Sequence, residues 1–362
     1  MARRSEPVDT PEVDALAGLA LPREQEVLIG HEDPERKLLD AYRSQRLHHA
    51  LLLGGPKGIG KATLAFRFAR FMLAHPDRFG REVAAARDLS IPDDHRIARQ
   101  VAGGGHPNLL HLRRPWDEKR KRFKSELPVD EVRRTVAFFG STASAESWRV
   151  CIVDAADDMN SSSANALLKI LEEPPERCLF LVLSHTPGRI LPTIRSRCRR
   201  LDLAPLPEPD LAHGLETLAG DWISDPADLS DATRFAEGSL RSALLLLSGD
   251  GLTIARGLGP LIEAPSRPDP AALHGLADLV AARGQTDNWE SFQHVTRRFL
   301  HDWLRATARH APHDKRTMNA ISHLWDRFQK TVADTDALNL DRKQVVLDLV
   351  LGAGALRRSE FA

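Results

Sequence analysis

The stretch GGPKGIGKAT, residues 54–63, holds most of what is needed to grip a phosphate. Gly55, Gly58 and Gly60 let the backbone bend so that successive N–H groups point at one anion. A helix starting directly afterwards adds its positive N-terminal end. Lys61 supplies a cation for the outer phosphates. In loops of this kind the next residue is normally Ser or Thr, whose hydroxyl ligates magnesium. Here it is Ala62, which has no oxygen to offer. Thr63 comes one position late, about 100° further around a helix, and is a poor substitute.

Such a loop needs a strand before it and a helix behind it. HHALLLGG reads as a buried strand, and KATLAFRFARFMLAHP has apolar residues at helical spacing. EDPERKLLDAYRSQRL is an expected helix before them. HPNLLHLRRP, WRVCIVDAADDM and CLFLVLSHTP read as three further strands. LPVDEVRRTVAFFGSTA and NSSSANALLKILEEPP read as the helices between them, the second stopped by Pro174 and Pro175. Alternating strands and helices with continuous apolar runs predict an α/β domain, a parallel sheet covered on both faces. At the end of the second of these strands stands Asp154, placed to hold a metal's water shell. Ala155 and Ala156 follow, and acids resume only at Asp157.

Residues 1–24 are polar and predict a flexible tail; the α/β domain is expected over 25–205. LAPLPEPD, residues 203–210, carries three prolines and reads as a linker. Beyond it the patterns are helical. They predict a small helical lid over 206–249 and an all-helical domain over 250–362, with a break near Gly249 and Gly251.

Lys plus Arg equals Asp plus Glu at fifty each, so the chain has no net charge. That balance argues against an independent DNA binder and leaves a local patch open. The local patch is RRPWDEKRKRFK, residues 113–124, with Trp116 and Phe123 interleaved. It reads as a solvated connector before the helix at Val129. Contact with nucleic acid through phosphates and stacking is the alternative. Cys151, Cys178 and Cys198 are widely spaced and form no zinc pair; buried free thiols are expected. No apolar run has transmembrane length, and the N-terminal stretch has no signal-peptide core, so no membrane partner is expected and the address is cytoplasmic. No HExxH or Ser-His-Asp pattern stands out.

The runs NALLKILEEPP and LPTIRSRC resemble clamp-loader subunits of the AAA+ class. With RLHHALLLGGPKGIGKATLA and GSLRSALLLL in order, the chain is most similar to the delta-prime family of the bacterial DNA polymerase III clamp loader, over roughly residues 25–250. The resemblance implies an AAA+ domain, a lid and a C-terminal collar that joins subunits. It implies that Arg197 of the Ser196, Arg197, Cys198 triplet acts in trans, reaching ATP on the next subunit. By residue type alone, Arg197 is one of a basic cluster with Arg195, Arg199 and Arg200. Arg241 falls at the family's sensor 2 position. Ser184 falls at sensor 1, with His185 the neighbouring alternative. ATP-hydrolysing members carry a Glu directly after the strand-end Asp, where this chain has Ala155.

The metal hydroxyl and the catalytic carboxylate are thus missing together. The resemblance implies a stator with little or no ATP hydrolysis of its own, ATP and magnesium binding weak or lost, and no required cofactor. The implied partners are gamma/tau and delta subunits, and through them the sliding clamp and primer-template DNA. An active gamma/tau-like motor is the competing reading; it needs Thr63 on magnesium and Asp157 or Asp158 to activate water. A stand-alone P-loop enzyme is a third. Many relatives carry a cysteine zinc module before the HPN strand. Here His95 and His106 stand without cysteines, and no zinc is expected.

Overall fold

The structure, a computed structural model, describes residues 11–13, 15–140, 147–263, 268–282 and 284–360. Residues 1–10 of the expected tail, 141–143 at the end of an expected helix, and 264–267 of the Pro-rich interruption lie outside the described residues. The chain divides into two compact units, Met1–Asp210 and Leu211–Ala362.

The first unit is built in the order α1 (Glu32–Arg43), β1 (Ala50–Gly54), α2 (Lys61–Ala74), α3 (Arg81–Ala85), α4 (Arg96–Ala102) and β2 (Leu109–Leu112). There follow β3 (Trp116–Asp117), β4 (Arg122–Phe123), α5 (Val129–Gly140), β5 (Arg149–Val153), α6 (Ser161–Glu172), β6 (Cys178–Ser184), α7 (Pro192–Arg195) and β7 (Arg199–Asp202). Five strands form one parallel sheet in the order β2-β5-β6-β1-β7, and β3 pairs with β4 as a separate antiparallel hairpin.

Alternation along the inner strands builds both cores. Leu51, Leu53, Ile152, Leu181 and Leu183 face one side, against Leu38 and Tyr42 of α1 and Phe68 and Phe71 of α2. Leu52, Cys151, Val153, Phe180 and Val182 face the other, against Val132 of α5 and Leu167 and Leu171 of α6. Asn160 caps α6 by accepting from the backbone N–H groups of Ser162 and Ser163.

The second unit holds α8 (Glu208–Ala219), whose first turn contains the division, then α9 (Pro226–Ala236), α10 (Leu240–Leu247), α11 (Gly251–Glu263), α12 (Pro270–Val280), α13 (Thr286–His310), α14 (Lys315–Leu338) and α15 (Arg342–Glu360). Asp225, Asp269 and Asp314 cap α9, α12 and α14, the first two followed by Pro at the first helical position. Its core includes Trp289, Phe292, Leu300, Phe328 and Val346.

Several expectations need correction. The segment before residue 24 is not loose throughout. Leu16 is buried, Glu12 forms ion pairs with Arg23 and Arg113, and the Arg23 Nε donates to the Ala102 carbonyl at 2.8 Å. The Pro-rich stretch 203–210 is no free linker, because Leu203 and Leu206 are buried. The break near Gly249 is a tight turn rather than a domain boundary. A Cβ on Gly251 would sit 2.7 Å from the Leu246 backbone, and the Ser291 hydroxyl and His294 ring reach the carbonyls of Leu245 and Phe235. The expected lid and collar therefore share one compact unit. The basic connector is the β3–β4 hairpin. β7, α3 and α4 are additions that no sequence pattern singled out.

Phe180 is fully buried, with its ring 5.0 Å from that of Phe139. Phe180→Ala is expected to destabilise the first unit by about 3–5 kcal/mol, read as a lowered denaturation midpoint against wild type. A change below about 1 kcal/mol would show that this core collapses around the cavity.

Candidate functional site

The phosphate-loop residues lie where β1 gives way to α2. Gly55, Gly58 and Gly60 have φ of 142°, 79° and 111°. At Gly55 a side chain is excluded twice over. The backbone is in a region that disfavours L-residues, and a Cβ would lie 2.4 Å from the Leu203 carbonyl oxygen. Lys61 is the first residue of α2, with Ala62 and Thr63 half-buried behind it.

Lys61 does not reach outward. It is 4% exposed, and its Nζ donates to the carbonyls of Gly55 at 2.7 Å and Pro56 at 2.5 Å. Burial pushes its ammonium down to about 8, against the opposing pull of Asp154 and Asp157. On the other side of the loop, the His31 Nε2 lies 2.6 Å from the Ile59 carbonyl. Burial lowers the His31 pKa, which favours the neutral ring, with Nε2–H donating.

The sheet brings the acids to this loop. β6 lies between β5 and β1, and Ser184 at its end is in register with Gly54. Asp154 follows β5 directly, and its Oδ2 lies 3.7 Å from the His111 Nε2 on β2. Ala155 and Ala156 are buried. Asp157 turns to the end of β6. It accepts from the Ser184 hydroxyl at 3.1 Å, the His185 N–H at 2.7 Å and the Thr186 N–H at 2.9 Å. Asp158 pairs with Arg114 at 3.0 Å. His185 has its pKa lowered by burial and then by the Lys61 charge.

This donor set is a poor fit to a magnesium–triphosphate. Ala62 offers no metal hydroxyl. Lys61 is held by its own loop. Asp157, the first acid after Asp154, has three donors directed at it. Of the histidines considered for zinc, His95 and His106 each accept a backbone N–H through Nδ1, from Ile97 and Asn108.

The remaining site residues are elsewhere. Ser196, Arg197 and Cys198 form the turn between α7 and β7 in the first unit. The Arg197 Nη1 donates to the Thr193 carbonyl at 2.9 Å, and its Nη2 lies 2.7 Å from a Glu172 carboxylate oxygen at the end of α6. Ser196 donates to the same Thr193 carbonyl at 3.1 Å. Burial pushes the Cys198 thiol up to about 11, so it is a packing group rather than a nucleophile. Arg241 on α10 belongs to the second unit, where it makes a two-pronged pair with Glu290 of α13 at 2.6 and 3.1 Å.

Four functional neighbours escaped the sequence reading: His31, Asp157 as an acceptor, Glu172 and Glu290. Asp157 and Glu172 lay inside recognised runs, but no spacing rule couples Asp157 to the end of β6 or Glu172 to Arg197.

The sheet order, with a phosphate loop after β1 and an acid after β5, is that of an AAA+ P-loop domain. The DNA polymerase III, delta subunit family matches residues 30–207. A DNA polymerase III subunit delta' from Pseudomonas aeruginosa is 34% identical over 257 residues, 71% of this chain and 69% of that protein. The subunit delta' of Escherichia coli is 31% identical, over 67% of this chain and 72% of its own length. The chain belongs to the DNA polymerase III delta' family. Escherichia coli subunit tau is more distant, 27% identical over 71% of this chain and 38% of its own length. No helix among the described residues is long and apolar enough to cross a membrane.

The Lys61 proton provides a test of this geometry. In the folded chain it leaves near pH 8, against an ordinary value of 10.5. Between those values the unfolded chain binds more protons, so folding stability rises with pH across that window. Lys61→Met is expected to remove that rise. The two proteins' stability profiles should diverge by up to about 3 kcal/mol, measured by urea denaturation from about pH 7 to about pH 10.5. Parallel profiles would show that the ammonium is solvated.

Proposed function

We propose that this chain is the stator subunit of a DNA polymerase III clamp loader. It assembles with gamma/tau motor subunits and with delta, supplies Arg197 to ATP bound on a neighbour, and hydrolyses little or none itself. Through that assembly it helps place the sliding clamp on primer-template DNA during replication.

One observation carries the reading. The chain's cationic finger candidate is at the surface, while its own loop faces inward on itself. The side chain of Arg197 is 35% exposed and that of Glu172 is 44% exposed. An ion pair this exposed is worth about 0–1 kcal/mol. A neighbour's phosphate, with more charge and matching geometry, can outcompete the carboxylate for the guanidinium. In the transition state of phosphoryl transfer, charge grows on the equatorial oxygens, and a fixed guanidinium stabilises it. Thr193, through its carbonyl, holds the guanidinium by its Nη1 at 2.9 Å.

The gamma/tau-like motor reading is less well supported. Tau relatives match with lower identity than the delta' relatives. The carboxylates that reading needs, Asp157 and Asp158, are already engaged with the end of β6 and with Arg114.

The reading is tested in a reconstituted complex. Arg197→Ala is expected to leave assembly intact by size-exclusion chromatography and to lower DNA-stimulated ATP turnover by about tenfold or more. An unchanged rate in an assembled complex removes Arg197 from the chemistry. The isolated chain is expected to show no ATP turnover that Lys61→Ala abolishes; such turnover would make it a motor.

A further inference from the structure

The chain is neutral overall, yet residues 113–124 hold seven Lys or Arg against two acids. In the structure this segment is ordered around a hairpin. Trp116 pairs with Phe123 and Asp117 with Arg122. The Asp117 carboxylate accepts from the backbone N–H groups of Lys119 and Arg120, at 3.0 and 3.1 Å, and so fixes the turn. Lys121 takes the left-handed conformation at φ 50°, and the Lys124 N–H closes the base on the Pro115 carbonyl at 3.0 Å.

Six of these seven basic residues fall into two groups; the seventh, Arg122, lies opposite Asp117 in the ladder. Arg113 pairs with Glu12 and Arg114 with Asp158, acids that lie outside the hairpin. They border a cavity of about 540 Å³ beneath the hairpin. The residues of the tip differ. Arg120 and Lys121 are 70% and 74% exposed, and their ion-pair partners are the tip's own Asp117, at 3.9 Å, and Glu118, at 3.1 Å. Lys119 and Lys124 are exposed as well. Pairs this exposed are worth little and exchange readily.

We propose that this tip, through Lys119, Arg120, Lys121 and Lys124, is a contact for the phosphate backbone of duplex DNA. Two features favour that partner. Four cations on one short rigid turn match a polyanion with a charge about every 1.7 Å of axis, where each contact releases a counterion. The hairpin also lacks an open stacking platform for single strands. The Trp116 and Phe123 rings are half-buried against each other, edge to face at 5.0 Å. The contact therefore reads charge rather than sequence. It is independent of Arg197 and of subunit assembly.

The isolated full-length chain tests it, by fluorescence anisotropy with a labelled duplex of random sequence. Wild type is expected to bind weakly, with an affinity that falls steeply as salt rises. The combined variant Lys119→Gln, Arg120→Gln, Lys121→Gln, Lys124→Gln should bind at least about tenfold more weakly at low salt, with the salt slope reduced by about 3–4. Glu118→Lys should tighten binding. No detectable wild-type binding, or unchanged affinity and slope in the folded variant, overturns the proposal. Equal affinity for polyglutamate, lost in the same variant, also overturns it, because the tip would then be an acidic-protein contact. Complex assembly and ATP turnover of the same variant report on the stator reading separately.

Discussion

Parallel strands buried on both faces leave their backbone amides no water to turn to, so every ladder bond must be made within the sheet. In this chain that requirement bears most on β6, which pairs with β1 on one side and β5 on the other. Its seven residues are all buried. Pairing in register brings Ser184 beside Gly54, at the start of the phosphate loop, and sets the end of β5 one strand away. The loop, the acids and the β6 terminus meet because the register leaves them nowhere else to be. A slip of one residue would also turn each strand's core residues to the wrong face.

The two charges at the centre of that site, Lys61 and Asp157, are satisfied by the protein itself. Charges that in a catalytic loop would address a substrate instead address the protein. The Lys61 ammonium is held by two loop carbonyls, and the Asp157 carboxylate by a hydroxyl and two amides. A buried ammonium without such partners would carry a large desolvation cost. The same economy extends to the second unit, where Glu290 occupies Arg241. By contrast, the Arg197 guanidinium is held at an accessible turn, by the Thr193 carbonyl and a Glu172 carboxylate that is itself 44% exposed.

Much of this was legible in the residues. Continuous apolar runs announced β1, β5 and β6, because burial on both faces demands them. Asn160 and the paired prolines bracketed α6 as expected. The loop glycines declared themselves because few other residues tolerate such φ values. What stayed hidden depended on distance in the chain. Nothing local tells Asp157 that it will meet the end of β6, or Glu172 that Arg197 will fold onto it. β7 was missed for another reason: RRLD has no apolar rhythm, since an edge strand need not bury both faces. The Pro-rich stretch 203–210 does end at the division between the units, but the prolines could not tell that Leu203 and Leu206 are buried.

That edge strand has a consequence of its own. β7 shows Arg199, Arg200 and Asp202 to solvent, and its outer rim is open in the sheet order. An open rim normally invites another chain to add a strand, the first step toward misassembly. Like charges on Arg199 and Arg200 make a second copy an unwelcome neighbour there. The rim beside the Arg197 turn thus carries charge that opposes pairing with a copy of itself.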